Sequence, residues 1–230
     1  MKIIMLSGKA RVGKTHAANQ IAELAFLAGM KPVLLPFAKP IKDKANADGF
    51  TKEKNPKEYR SYCQLMGESA RQLDPDHWIN AWLEELKLIE DKEHNDISTN
   101  KKHWEYVVIV DDCRYDNEVK LCSDLGGMLV FIRHGKRKIE DLDADWRNHE
   151  SENFSNEVEY IACDDVDYYI ENDATLRSFN GEIHKLSKKL LGIVPNKSMD
   201  DPALRMASLI DKLIQKLEDK LDEEAEDSDY

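Results

Sequence analysis

Gly8-Lys9-Ala10-Arg11-Val12-Gly13-Lys14-Thr15 is the stretch that decides how the chain folds. It follows the apolar run Ile3-Ile4-Met5-Leu6 and opens the helix-like run Thr15 to Leu27. Its pattern is G-x-x-x-x-G-K-[ST] in a strand–loop–helix setting, the form of a phosphate-binding loop. The two glycines allow tight curvature, so that several backbone N–H groups can converge on phosphate oxygens. The helix that follows adds the positive end of its dipole. The candidate nucleotide contacts are therefore Gly8, Lys9, Ala10, Arg11, Val12, Gly13, Lys14, Thr15 and His16. Lys14 is expected to reach the β- and γ-phosphates of ATP, and the Thr15 hydroxyl to ligate Mg²⁺. The loop names a phosphate donor and leaves the acceptor open.

Outward from the loop, apolar runs alternate with helical patterns. Strands are expected at 2–6, 32–36, 106–110, 128–132 and 166–170. Helices are expected at 15–28, 38–47, 56–73, 77–91, 115–125 and 174–191, with polar loops at 48–56 and 92–103. Pro40, Asp74-Pro75-Asp76, Gly126-Gly127 and Gly192 punctuate them. The continuous apolar character of 106–110 and 128–132 suits strands buried on both faces. The expected fold is α/β, a three-layer α/β/α arrangement around a central parallel sheet. Ligands then sit at the carboxyl ends of the strands, where the loop, Asp111-Asp112, Arg133 and Asn172 all fall.

The net charge of −12 argues against a nucleic-acid-binding surface. Much of that charge is local, since Glu218 to Tyr230 holds eight acidic residues against one lysine and reads as a solvated tail. Before it, Pro202 to about Glu224 has helical apolar spacing and is expected to pack on the body or on a partner, a homodimer being one arrangement. No apolar run approaches the roughly 18–20 residues of a membrane span, and the N-terminal run is too short for a signal-peptide core, so a cytoplasmic protein is expected. Cys63, Cys113, Cys122 and Cys163 form no C-x-x-C pair and read as reduced structural thiols. Residues 1–195 are expected to form one nucleotide-binding domain and 196–230 a terminal helix and tail.

Three further constellations carry chemistry. An acid at the end of strand 106–110 helps hold Mg²⁺ in phosphate-loop proteins; of Asp111 and Asp112, the second is favoured here and the other is left to cap the next turn. Arg114 is placed to grip a phosphate, and Asn117 and Glu118, in the first turn of the next helix, to bond sugar hydroxyls or base edges, unless Arg114 and Glu118 only pair at the surface. Arg60, Gln64, Gly67 and Arg71 share one helical face, which suits either an anionic small molecule or solvent. Trp78 and Trp82 lie one turn apart and are available for base stacking or for the core. Arg133, Lys136, Arg137, Lys138 and Arg147 lie in or beside the loop 134–150, which is expected to act as a cationic lid. His149-Glu150-Ser151-Glu152 has the wrong spacing for a zinc helix and reads as the boundary of that loop.

Taken in order, these pieces resemble the phage-type deoxynucleoside monophosphate kinases, a branch of the phosphate-loop kinases. The resemblance runs through Leu6-Ser7-Gly8 and the loop, Phe37-Ala38-Lys39-Pro40-Ile41-Lys42, Gln64-Leu65-Met66-Gly67, Asp74-Pro75-Asp76-His77-Trp78, Asp111-Asp112-Cys113-Arg114-Tyr115-Asp116-Asn117-Glu118, Gly126-Gly127 to Arg133, His149-Glu150-Ser151-Glu152 and Ile170-Glu171-Asn172-Asp173, covering roughly residues 1–192. It implies Mg²⁺-dependent transfer of the ATP γ-phosphate to a deoxynucleoside 5′-monophosphate, in the host cytoplasm if phage-encoded. It also implies monophosphate-binding helices over about 38–91 and a monophosphate pocket lined by Lys42, Arg60, Gly67, Trp78, Arg114 and Glu118. Arg71 joins that pocket by the helical-face argument. The resemblance puts Arg133 and Arg137 at the lid as catalytic arginines, with Lys14 and Asp112 completing the catalytic set. Asp116 departs from the family's proline, and everything beyond Pro195 lies outside the resemblance. Two other readings stay open. One is a kinase of the same fold for another small acceptor such as phosphomevalonate, and the other is a nucleotide-driven switch protein.

Overall fold

A computed structural model describes residues 1–99, 105–134 and 166–192. Five strands, β1 (Lys2–Ser7), β2 (Lys31–Leu34), β3 (Tyr106–Cys113), β4 (Met128–Arg133) and β5 (Tyr168–Glu171), form one sheet in the order β2-β3-β1-β4-β5. Every adjacent pair is parallel. The helices are α1 (Lys14–Leu27), α2 (Lys39–Ala47), α3 (Pro56–Leu73), α4 (His77–Ser98), α5 (Asp116–Asp124) and α6 (Leu176–Leu191).

The side-chain period of two splits the strands between two cores. Ile4, Leu6, Val107, Ile109, Val130, Ile132 and Ile170 pack with Ala17, Ala18, Ile21 and Ala25 of α1 and Phe179, Ile183, Leu190 and Leu191 of α6. Ile3, Met5, Val108, Val110, Leu129 and Phe131 turn the other way, onto Trp82, Leu86 and Ile89 of α4 and Val119 and Cys122 of α5. The protein is thus a three-layer α/β/α sandwich with a parallel sheet buried on both faces, as its continuous apolar strands require. The chain turns from one side of β1 to the other between β3 and β4, which puts a topological switch point at the carboxyl end of β1.

Most element boundaries move by only one to three residues from those expected. The exception is α4, which continues through residues 92–98, read above as loop. That segment has no apolar stripe, and polar contacts carry it. Glu93 accepts from the Tyr106 backbone N–H at 3.1 Å, and Asp96 accepts from the Tyr106 hydroxyl at 3.3 Å. No helix among the described residues is long and apolar enough to cross a membrane. The expected lid at 134–150 beyond His134, including Arg137, and the expected terminal helix and tail at 196–230 lie outside the described residues.

Candidate functional site

The loop between β1 and α1 is bent by backbone states that only glycine takes without strain. Gly8 has φ 133° and Gly13 has φ 102°. Space forbids a side chain at either position as well. A Cβ on Gly8 would stand 2.1 Å from the Ile132 carbonyl oxygen, and one on Gly13 would stand 2.7 Å from the Phe179 ring. Arg11 also has positive φ, at 63°. The resulting curl receives the Lys14 ammonium, which is 7% exposed and donates to the carbonyls of Gly8 and, at 2.7 Å, Lys9. An ammonium held inside the ring of loop residues is the point charge that a polyphosphate requires.

At the carboxyl end of β3 the two acids part company. The Thr15 hydroxyl donates to Asp111 Oδ2 at 2.6 Å. Asp112 instead accepts from the backbone N–H groups of Phe37 and Ala38, at 2.8 and 3.1 Å, and lies 3.8 Å from Lys42 Nζ. The carboxylate beside Thr15 is thus Asp111, not Asp112, the one expected there. On β3 Ile109 lies in the core against α1 and Val110 in the opposite core, and the hydrogen bonds set Asp111 on the α1 side and Asp112 toward Phe37 and Ala38. β3 also carries one extra residue opposite Leu6, since Met5 pairs with Val110 and Ser7 with Cys113. Thr15 and Asp111 offer only oxygen donors, which suits a hard divalent cation completing its shell with phosphate and water. Among the described residues no group of three or more His, Cys, Asp and Glu side chains could hold a metal without such help.

Several expected contacts are turned to internal use. The His16 ring faces α6, bonding Asn180 at 2.6 Å and stacking on Phe179, so its side chain leaves the loop. Trp78 is 8% exposed and donates its indole N–H to the Gly67 carbonyl at 3.1 Å, so it joins α4 to α3 instead of stacking on a base. Trp82 does the same for Leu35, at 2.7 Å. Gly67 makes room for its own fold, since a Cβ there would meet Arg71 Nη1 at 3.2 Å and Ile41 at 3.5 Å. Asn117 donates to Pro75 O and Asp76 Oδ1, at 3.0 and 2.9 Å, and fastens α5 to the turn before α4. Glu118 is 3% exposed and accepts from the N–H groups of Arg114 and Tyr115, at 2.6 and 3.2 Å, closing the N-terminus of α5. Burial pushes its carboxyl up to about 8; the Arg114 N–H opposes this, the Asp112 charge adds to it, and Arg71 and the Tyr115 N–H oppose it. It completes the capping box at the start of α5.

The cation shown beside Asp112 is Lys42. Lys42 on α2, Arg60 and Arg71 on α3, and Arg114 after β3 are all partly exposed. The Arg71 guanidinium lies 4.0 Å from the centre of the Tyr115 ring, which orients it. On the other side of the loop, Arg133 at the end of β4 pairs with Glu171 at the end of β5. Neither buried thiol is a nucleophile, because burial pushes Cys122 up to about 12 and Cys113 well above the usual thiol range.

Two residues that the sequence named without an individual role enter the site. Tyr115, the first residue of the expected helix 115–125 and part of the family motif, holds its ring against the Arg71 guanidinium. Asn172, named among the strand-end residues where ligands sit, donates its amide to Val12 O of the loop at 3.0 Å.

No family model and no curated protein sequence matches the chain. Solved structures that it is similar to include a dephospho-CoA kinase from Campylobacter jejuni, with 18% identity, covering 84% of this chain and 98% of that one, at a TM-score of 0.45. A shikimate kinase from Acinetobacter baumannii in complex with shikimate has 14% identity, covering 85% and 96%, at 0.40. A shikimate kinase from Bacteroides thetaiotaomicron has 14% identity, covering 84% and 99%, at 0.44. At these TM-scores the likenesses carry no argument about chemistry or acceptor, and the reading of the site rests on its own geometry.

Proposed function

We propose that the protein is a kinase that transfers the ATP γ-phosphate to a deoxynucleoside 5′-monophosphate, giving ADP and the deoxynucleoside diphosphate. The observation that carries this reading is the end of β3. Asp111 there joins the glycine loop through Thr15, and its neighbour Asp112 joins the cationic α2–α3 side through Phe37, Ala38 and Lys42. Two anion-binding regions thus meet at one strand end, as transfer between two phosphates requires.

The acceptor phosphate is already an anionic nucleophile, so no strong general base is needed, and positioning with cationic stabilisation suffices. The loop N–H groups and Lys14 hold the donor phosphates. Thr15 and Asp111 would hold Mg²⁺, which when bound would neutralise charge on those phosphates. Arg71, oriented by Tyr115, and Lys42, Arg60 and Arg114 hold the acceptor. Arg133, and Arg137 in the lid, offset charge that develops during transfer.

A second reading has an observation in its favour. Trp78, Asn117 and Glu118, which the resemblance and the sequence offered for base and sugar, are engaged inside the protein. The remaining face binds phosphate without naming a base, which also suits another small phosphorylated acceptor such as phosphomevalonate.

The test is ADP release from ATP and Mg²⁺ in the presence of each dNMP, each NMP and phosphomevalonate, with Lys14→Ala as the blank. Stimulation by one or more dNMPs is expected. Stimulation by phosphomevalonate alone moves the assignment to the second reading. Stimulation by no acceptor, with ATP bound, moves the assignment to an acceptor outside this panel or to a nucleotide-dependent switch.

A further inference from the structure

We propose that Asn172 is the positioning residue that holds the glycine loop in its phosphate-accepting shape. This rests on the donor-site reading above and adds to it the group that keeps the site formed. For loop N–H groups to converge on an anion, loop carbonyls must turn away from it, and a carbonyl turned into the protein needs a donor. Val12 is 3% exposed, and its carbonyl receives the Asn172 Nδ2 hydrogen bond at 3.0 Å. The partner is a carbonyl oxygen, so the amide must present its nitrogen, and an acid in its place cannot donate.

Asn172 is itself held. Its backbone N–H donates to Arg133 O at 2.8 Å, prolonging the β4–β5 pairing by one residue. The ion pair Arg133–Glu171 lies before it, and His134 Nδ1 lies 3.3 Å from Asp173 Oδ1 after it. Its amide also borders Gly13, where a Cβ would stand 3.3 Å from Nδ2. One side chain thus fixes the last carbonyl before Gly13, the left-handed residue that starts α1. The same residue ties the loop to the strand ends that carry Arg133.

The test uses the full chain with Asn172→Asp, which keeps the shape and loses the donor, and Asn172→Ala as a second variant. Calorimetric Kd for ADP with Mg²⁺, KM for ATP, KM for the accepted dNMP and Tm without ligand are measured for each. The expected result is an ADP Kd and an ATP KM raised about 10- to 100-fold, with the acceptor KM within about twofold of wild type. An unchanged ADP Kd in either folded variant overturns the proposal. Equal losses for donor and acceptor together with a large fall in Tm also overturn it, because they mark a structural residue only. If Asn172→Asp fails to fold, Asn172→Ala decides by the same split. Failure of the wild-type protein to bind ADP or ATP overturns the donor-site reading itself and this inference with it.

Discussion

The proposed donor side and the proposed acceptor side of this molecule are built on opposite terms. Around the glycine loop the functional groups are mostly backbone N–H groups and one lysine, and the fold is bent to present them. Across the β3 end, the side chains that looked most like ligand readers are spent on the fold. Trp78 bonds Gly67, Asn117 bonds the α3–α4 turn, and Glu118 caps α5. The lesson is that a backbone-built site is announced by its glycines, because nothing else explains them. A side-chain-built site competes with packing and capping for the same residue types.

The sharpest way to break this comparison is at the two adjacent acids, where the site changes from one regime to the other. Asp111→Asn removes the carboxylate beside Thr15 and is expected to lower kcat about 10²-fold and to raise the Mg²⁺ concentration needed for half-maximal rate. Asp112→Asn keeps one acceptor for the Phe37 and Ala38 N–H groups and weakens the pair with Lys42. It is expected to cost about 1–2 kcal/mol of stability and to leave the Mg²⁺ requirement unchanged. Steady-state rates over a Mg²⁺ titration and urea unfolding of both variants check this. A reversed pattern restores Asp112 as the metal residue.

A smaller effect sharpens the acceptor side. Arg71→Ala is expected to raise the acceptor KM about tenfold with the ATP KM unchanged, because its guanidinium is held in place over Tyr115. Asn117→Ala loses two bonds to the turn before α4 and is expected to lower Tm with both KM values unchanged. An acceptor KM that rises for Asn117→Ala and not for Arg71→Ala exchanges their roles.

These contrasts explain how far the sequence could be read. The sheet and its helices were legible because alternating apolar runs, Pro40, Asp74-Pro75-Asp76 and Gly192 all pointed one way. The loop was legible down to Lys14 and Thr15. The choice between Asp111 and Asp112 was not, because every residue of 106–110 is apolar, so the strand does not display which of its faces meets α1. The C-terminal part of α4 was illegible because Glu93 and Asp96 are anchored to Tyr106 by polar contacts that leave no periodicity. Trp78, Asn117 and Glu118 were chemically plausible readers, and only the crossing of α3, α4 and α5 decides that their partners are internal.

Glu118 gives the smallest effect on turnover and the most specific one. Its carboxyl is raised to about 8 by burial, despite two backbone N–H donors. The native state therefore holds a proton that the unfolded chain releases at ordinary carboxylate pH. Native binding of the extra proton makes stability fall as pH rises from the unfolded value through about 8. The charged form is the one that burial penalises, and the loss is complete above that pH. Glu118→Gln keeps an oxygen for the Arg114 and Tyr115 N–H groups and never ionises. Its Tm relative to wild type is expected to climb as pH passes from about 4.5 to about 8 and to be flat below and above that window, while the acceptor KM at about pH 7 stays unchanged. A constant Tm difference across that range means that Glu118 is ionised throughout. A raised acceptor KM in the same variant returns it to the acceptor pocket and dissolves the contrast between the two sides.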